Sequence, residues 1–395
     1  MSLPLEGIRV IDLGQIFAAP YCTLQLALMG AEIIKIEPPG TGETLRRPEA
    51  SPGGVGYSFL MLNANKRSVT LNLKHPRGRE IILKLLERAD VLVENYSAGV
   101  MESFGLAYED LRDRFPRLVY ASAKGYGSDG AWARLGAMDS TVQASSGFLS
   151  VTGFADRSGV KTPATFIDMG TGSHLVSGIL AALLQRERTG AGQKVEVTML
   201  DTCIPALAGL LADVMQGRKL ERLGNRHRNA CPCDVYRTVD GEVLIFCLSE
   251  PHWRTLVGLM DREELAGVPR FKDHAARLKC IEEVDEIVAG WTRRHRRDEL
   301  VALLLAHGVP CAPVRTIEEV VTDPETARRQ MLLDSEFPTR GAIKVVGSPV
   351  KMSAAPQPAR PWMRPPVLGE HTAEVLASIG VDSEEIERLR RDGVI

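Results

Sequence analysis

No run of apolar residues in this sequence reaches the ~20 needed to cross a bilayer as a helix. The longest, Leu175–Leu184 and Ile204–Met215, are shorter and are broken by Gly, Ser, Pro or Asp. The opening MSLPLEGIRV has no basic stretch before an apolar core and carries Glu6, so no secretory signal is expected. An excess of one charge is missing too. Lys plus Arg number 48 and Asp plus Glu 50, for a net charge of -2. Nucleic acid or an anionic membrane therefore has no basic surplus to hold it, while a small anion needs only a few local cations. Cysteine is sparse, with seven in 395 residues. That odd count makes no disulfide framework and points to a reduced, cytoplasmic protein. The one close pair, Cys231 and Cys233, has only His227 near it. Zinc would need two further ligands at fitting spacing, so no metal is expected.

What is present is ordinary globular material, 44% hydrophobic and 25% charged. The length allows two or three domains. Strand-like and helix-like segments alternate through the first 200 residues. Ile8–Leu13 reads as a strand, Ala18–Met29 as a helix stopped by Gly30, and Glu32–Glu37 (EIIKIE) as the next strand. A helix over Arg77–Arg88 and strands at Val91–Val93, Leu118–Ser122 and Lys194–Thr198 continue the pattern. Strand, helix, strand repeated in this way predicts a parallel sheet wrapped by helices. Thr171–Gln185 reads as a helix whose Gly172, Ser173 and Gly178 allow close packing, and Asp201–Met215 as a second one. Residues 216–234 read as a basic, polar linker. Beyond it, a strand at Glu242–Cys247 and helices at 253–260, 282–293 and 297–306 make a smaller α+β unit. Pro356–Pro366 reads as extended, and Glu370–Arg391 as two short helices.

Phosphate-binding signatures are absent. GQIFAAP follows the first strand where a dinucleotide fold would carry GxGxxG, and no GxxxxGK[ST], HExxH or GxSxG occurs. The glycine-rich run 125–130 follows a later strand and reads as a loop. Taken singly, the remaining polar residues have plain explanations. Asp168 stands before a helix, where Asp is ordinarily an N-cap, and Asp139 has the same ambiguity. Asn95 after VLVEN reads as a turn residue, Asn65-Lys66-Arg67 as a solvated run, and Arg226-His227-Arg228 as linker charge.

Several segments taken together, in order along the whole chain, say more. They are PLEGIRVIDL, AAPYCTLQLALMGAEIIKIEPPG, NANKRSVTLNLK, ADVLVENYSAGVMESFGL, DMGTGSHLVSGILAALLQRERTGAGQKVEVTML, LLLAHGVPCAPV and PVLGEHTAEVL. This series resembles the class III CoA-transferases, a family that includes formyl-CoA transferase, carnitine CoA-transferase and the α-methylacyl-CoA racemases. The resemblance implies a Rossmann-like large domain with a parallel sheet, formed by residues 1–215 plus 330–395. It implies a smaller α+β domain with its linker at 216–329, and an interlocked homodimer. It also implies a substrate, coenzyme A or acyl-CoA, rather than a permanently bound cofactor.

The family's nucleophilic aspartate falls on Asp168. An Asp of ordinary pKa, near 3.9, is ionised at neutral pH and would attack a thioester without a general base. The resemblance gives Asp139 a supporting role. It places CoA contacts at Gln15, Phe17, Ala18, Leu71, Asn72, Lys74, Asn95, Tyr96 and Ser97, with Gln15–Ala18 supplying backbone amides to an oxyanion. Three cations of the formyl-CoA transferases are replaced, by Pro38, Ser103 and Ala137. Arg46, Arg47, Lys74 and Arg134 are the nearby candidates for the CoA phosphates. A mobile glycine-rich loop of those enzymes is absent as well, which points away from oxalate and formate. Arg226 and Arg228 are candidates for pairing with the second carboxylate of a dicarboxylate. Two other readings stand beside transfer of CoA to a free acid. An α-methylacyl-CoA racemase would need a His where Met138 stands. A non-catalytic CoA-binding protein would have no use for Asp168.

Overall fold

The structure, a computed structural model, describes residues 3–47, 54–355 and 362–395. Six parallel strands form the main sheet: β1 (Arg9–Asp12), β2 (Glu32–Glu37), β3 (Lys66–Thr70), β4 (Val91–Glu94), β5 (Val119–Lys124) and β6 (Lys194–Thr198). Their order is β3-β2-β1-β4-β5-β6, that of a Rossmann-type sheet. Alternate residues face opposite sides, as strand geometry requires. Val10, Ile33, Val91 and Val93 pack with helix α1 (Ala18–Leu28). Ile11, Ile34 and Leu92 pack with helix α2 (Pro76–Leu86) through Ile81, Ile82 and Leu85.

Helix α3 (Asp139–Ser145) and the long helix α4 (Phe166–Thr189) come between β5 and β6. α4 packs beside α1, and a Cβ on its Gly172 would lie 2.6 Å from the Ala18 carbonyl oxygen, so only glycine permits that approach. By length and composition α4 is apolar enough to cross a membrane, which the sequence pattern alone understates. Here its Leu175, Ile179 and Ala182 lie buried in the core of the sheet's α1 side. The expected helix over Asp201–Met215 is two, Met199–Ala206 and Ala208–Met215. Pro205, which has no N–H for the preceding turn, stands at the break.

The outer edge of β3 is closed by the C-terminal segment. His371 N–H donates to Ser68 O, the Thr70 N–H to Thr372 Oγ1, and Asn72 N–H to Val394 O. Leu376, Ile386, Leu389 and Val394 enter the same core as Val69 and Leu71. Residues 356–361 of the expected Pro-rich extended segment lie outside the described residues; 362–366 carry no helix or strand.

Two compact units emerge, Met1–Ser146 with Thr162–Gly209 and Asp323–Ile395, and Gly147–Lys161 with Leu210–Thr322. The smaller holds an antiparallel sheet of Cys233–Arg237, Glu242–Phe246 and Cys311–Pro313 around Trp253, Phe271, Val288 and Leu304. The sequence reading counts 147–161 with the large domain. In the structure the segment is held by the smaller unit, where Arg222 donates to the carbonyls of Phe154 and Arg157 and Gly224 N–H to Gly153 O.

Candidate active site

All six strands of a parallel sheet end on one side, and here the strand order reverses between β1 and β4. In open α/β sheets ligands bind in the crevice at that reversal. A cavity of about 270 Å³ lies there. Its walls include Gln15, Ile16 and Ala18 after β1, Tyr96 and Ser97 after β4, and Asp168 of α4. A second cavity, of about 310 Å³, is lined by Leu71, Asn72, Lys74, Pro38, Phe104 and again Tyr96. The residues expected to touch CoA therefore fall into two groups on one unit, with Tyr96 on the wall of both. Phe17 lines neither cavity; it is the residue before α1, whose start carries no side-chain cap.

Asp168 is the third residue of α4, not its N-cap. The capping acceptor comes from elsewhere. Asp139 Oδ2 accepts the N–H groups of Ile167 at 2.9 Å and Asp168 at 3.2 Å. Asp139 Oδ1 accepts from Gln143 Nε2 at 2.6 Å. Gln143 in turn accepts the Thr162 N–H at 3.0 Å, fastening the chain that leads into α4. Asp139 is buried and lines neither cavity.

The ordinary pKa expected for Asp168 does not hold. Burial, followed by the like charge of Asp139, pushes its carboxyl up to about 7. At neutral pH the proton is thus shared about equally between bound and free, so the nucleophile is not ready-ionised. The same burial makes the carboxylate, once formed, more basic than a solvated one.

Asn95 grips the peptide groups of Gln15 from both sides. Its Oδ1 accepts the Gln15 N–H at 2.7 Å and its Nδ2 donates to Gln15 O at 2.8 Å. The next residue, Ile16, has φ +64°. A β-branched side chain in that region costs of order 1–3 kcal/mol, so the turn is held rather than relaxed.

Beneath this floor lies a layer of buried charge. Asp12 and Lys66 form a fully buried pair at 3.1 Å. Lys66 also donates to Pro20 O, Thr23 Oγ1 and Asn63 Oδ1. Burial drives Lys66 down to about 8 despite the opposing pull of Asp12. The reading of Asn65-Lys66-Arg67 as a solvated run is therefore wrong. Lys66 points under the crevice, Asn65 exchanges hydrogen bonds with the Met363 backbone, and Arg67 pairs with Glu32 and Glu374.

Arg46 is likewise withdrawn from the list of phosphate cations. It is buried, and its guanidinium holds both oxygens of Glu37 at 2.5 and 2.8 Å. Arg47, Lys74 and Arg134 are exposed. Arg226 pairs with Asp285 and Asp234, and Arg228 with Asp213, all within the smaller unit. The seven cysteines are free thiols, and no His, Cys, Asp and Glu cluster among the described residues could hold a metal.

Sequence reasoning missed Lys35, Glu43 and Gln143. A signal existed for Lys35: parallel strands covered on both faces read as unbroken apolar runs, and EIIKIE interrupts one with charge.

A Rossmann-type sheet with a half-buried carboxylate at its switch point, beside two cavities that share Tyr96 as a wall, defines an α/β fold with a candidate enzyme site. The chain belongs to CoA-transferase family III, whose model matches residues 5–372. It is 37% identical to a formyl-CoA:oxalate CoA-transferase of Streptomyces avermitilis over 100% of both chains. It is 35% identical to an acyl-CoA transferase of Fusarium pseudograminearum, over 99% of this chain and 88% of that one. A CAIB/BAIF family protein from Brucella suis has a similar crystal structure, with TM-score 0.85, 31% identity, and coverage of 96% of this chain and 100% of that one.

Proposed function

We propose that this chain moves CoA from an acyl-CoA thioester to a free carboxylic acid, with Asp168 as the covalent nucleophile. The observation that carries the reading is Asp168 itself, the only acidic side chain on the wall of the switch-point cavity among the described residues. The Asp168 carboxylate adds to the thioester carbonyl, the C–S bond breaks, and CoA thiolate leaves a mixed anhydride. The thiolate then attacks the Asp168 carbonyl carbon and expels the first acid as carboxylate, leaving an aspartyl-CoA thioester. The incoming carboxylate attacks that thioester and frees the thiolate again. Attack of the thiolate on the new acyl carbon yields the new acyl-CoA and restores Asp168. The N–H groups of Phe17 and Ala18, at the uncapped start of α1, stabilise the oxyanions. Asp139 supports the nucleophile through its own helix.

The cavity of Leu71, Asn72 and Lys74 takes the nucleotide end of CoA, and the Asp168 cavity the thioester end. Lys74, Arg47 and Arg134 are the exposed cations left to meet the phosphates. CoA is substrate, and no resident cofactor is required. The racemase reading needs a second proton-transfer group opposite Asp168, and Met138 lines the cavity where it would stand. An interlocked homodimer remains part of this proposal. The helix Ala208–Met215 supports it, being apolar with no residue buried within one chain. We place the protein in the cytoplasm, where its thiols stay reduced.

The test is trapping. Wild type is incubated with a panel of acyl-CoAs, formyl-CoA and oxalate among the pairs, then with hydroxylamine. A hydroxamate on residue 168 and transfer to an added acid are expected. A tag on another residue, no tag with any donor, or steady deuterium entry at Cα of a 2-methylacyl-CoA in deuterated water would overturn the reading.

A further inference from the structure

We infer that Glu43 is a positioning residue for the transfer reaction, holding the Gln15–Ile16 turn in the shape that presents the Phe17 and Ala18 amides. The inference rests on the functional reading above and adds to it a residue outside both cavities.

The turn after β1 is held at successive backbone groups by side chains from β1, from β2 and the segment after it, and from the residue after β4. Asp12 Oδ1 accepts the Gly14 N–H at 2.7 Å. Lys35 Nζ donates to Gly14 O at 2.6 Å. Asn95 holds both the N–H and the carbonyl of Gln15. Glu43 Oε2 then accepts the Ile16 N–H at 3.1 Å. Glu43 is 3% exposed, its own N–H donates to Glu37 Oε2, and its Oε1 has no hydrogen-bond partner among the described residues. Among the described residues, the one backbone group its carboxylate holds is thus at the residue whose φ is +64°.

Strain of this kind persists only where the surroundings over-determine it. Asn95 and Glu43 hold the two sides of one peptide group, Gln15 O and Ile16 N–H, and so fix the plane from which the positive φ of Ile16 departs. Release of either hold would let Ile16 return to negative φ and turn the following amides. Donors to an oxyanion act by standing in place before charge develops, and a displacement of about 1 Å is enough to lose most of that effect. The nucleotide end of CoA is assigned to the other cavity, so most of the binding should be spared.

Two substitutions separate reach from charge. Glu43→Gln keeps an oxygen at the same distance but is neutral. Glu43→Asp keeps the charge but withdraws it by one methylene. With the acyl donor that labels Asp168, Glu43→Asp should lower kcat roughly 10–100-fold while KM for acyl-CoA stays within about threefold. Glu43→Gln should stay close to wild type. Adding Ile16→Gly to Glu43→Asp should recover part of the loss, since glycine holds positive φ without help. Circular dichroism and melting confirm that each variant is folded. Equal kcat in wild type and Glu43→Asp, or loss in Glu43→Gln with Glu43→Asp unharmed, overturns the inference while leaving transfer intact. A wild type that never labels Asp168 overturns the reading beneath it instead.

Discussion

Asp139 caps the helix that carries Asp168, and does so with a like charge. One oxygen of Asp139 accepts both the Ile167 and Asp168 N–H groups, while its charge adds to the burial that raises the Asp168 carboxyl to about 7. Anchoring and electrostatics can be separated by substitution. The rate of acylation by acyl-CoA should rise with pH through about 7 in wild type, because only the carboxylate attacks. Asp139→Asn keeps an oxygen for the cap and removes the charge, so the inflection should move to lower pH. Asp139→Ala loses the cap as well and should cost about 1–2 kcal/mol of stability. An unmoved inflection in Asp139→Asn would mean that burial alone sets the pKa.

Asp168→Asn should abolish transfer, an amide being a poor nucleophile. Its effect on stability depends on pH. The folded pKa of about 7 lies above the unfolded value near 3.9. Stability from the neutral carboxyl is therefore complete below about pH 4 and is lost as pH rises through 7. Asn, always neutral, escapes that loss. The variant should match wild type at pH 4 and exceed it at pH 8 by up to roughly 4 kcal/mol. Calorimetric melting at the two pH values measures the difference; a variant less stable than wild type at pH 8 would contradict the burial of the charge.

Lys66→Met strands Asp12 in the core without its partner. Breaking a buried pair from one side costs about 3–5 kcal/mol, and Lys66 has no exposed surface. Denaturant melts should show that loss, and adding Asp12→Asn should recover some of it. A neutral effect would show that Lys35 alone balances Asp12.

An interlocked dimer cannot part by dilution. Sedimentation at nanomolar concentration should show one species of twice the chain mass, and a folded monomer there would refute the interlock.

The main sheet was legible because its chemistry is local. Glu32–Glu37 and Lys194–Thr198 have the ends expected from sequence, and Ala18–Leu28 misses only Met29. β3 was not legible, because Lys66-Arg67-Ser68 carries the polar signature of a surface. Its burial depends on Asp12, Thr23 and Asn63 closing around one ammonium, a three-dimensional fact with no periodicity. Asp168 was found through resemblance to a family, and nothing in its neighbours along the chain announces a pKa near 7. That value comes first from burial and then from Asp139, 29 positions away in sequence. Arg46 was misassigned for the same reason: that its partner is Glu37, nine positions back at the end of β2, is set by the fold and not by the spacing along the chain.

β3 is the last strand of its sheet, and the partners for its free edge are His371, Thr372 and, just beyond the strand, Val394. During synthesis that edge therefore stands open until more than 300 further residues have been added. At about 5–20 residues per second the wait is roughly a quarter of a minute to a minute. An uncovered edge strand is a template for pairing with another chain. Nascent chains on one polysome are close neighbours throughout that interval, so this protein should lean on chaperones that shield the edge more than its finished stability suggests. Gly393, next to Val394, also lines the second cavity, so ligand cannot hurry the closure: the pocket is completed by the same C-terminal segment that covers the edge.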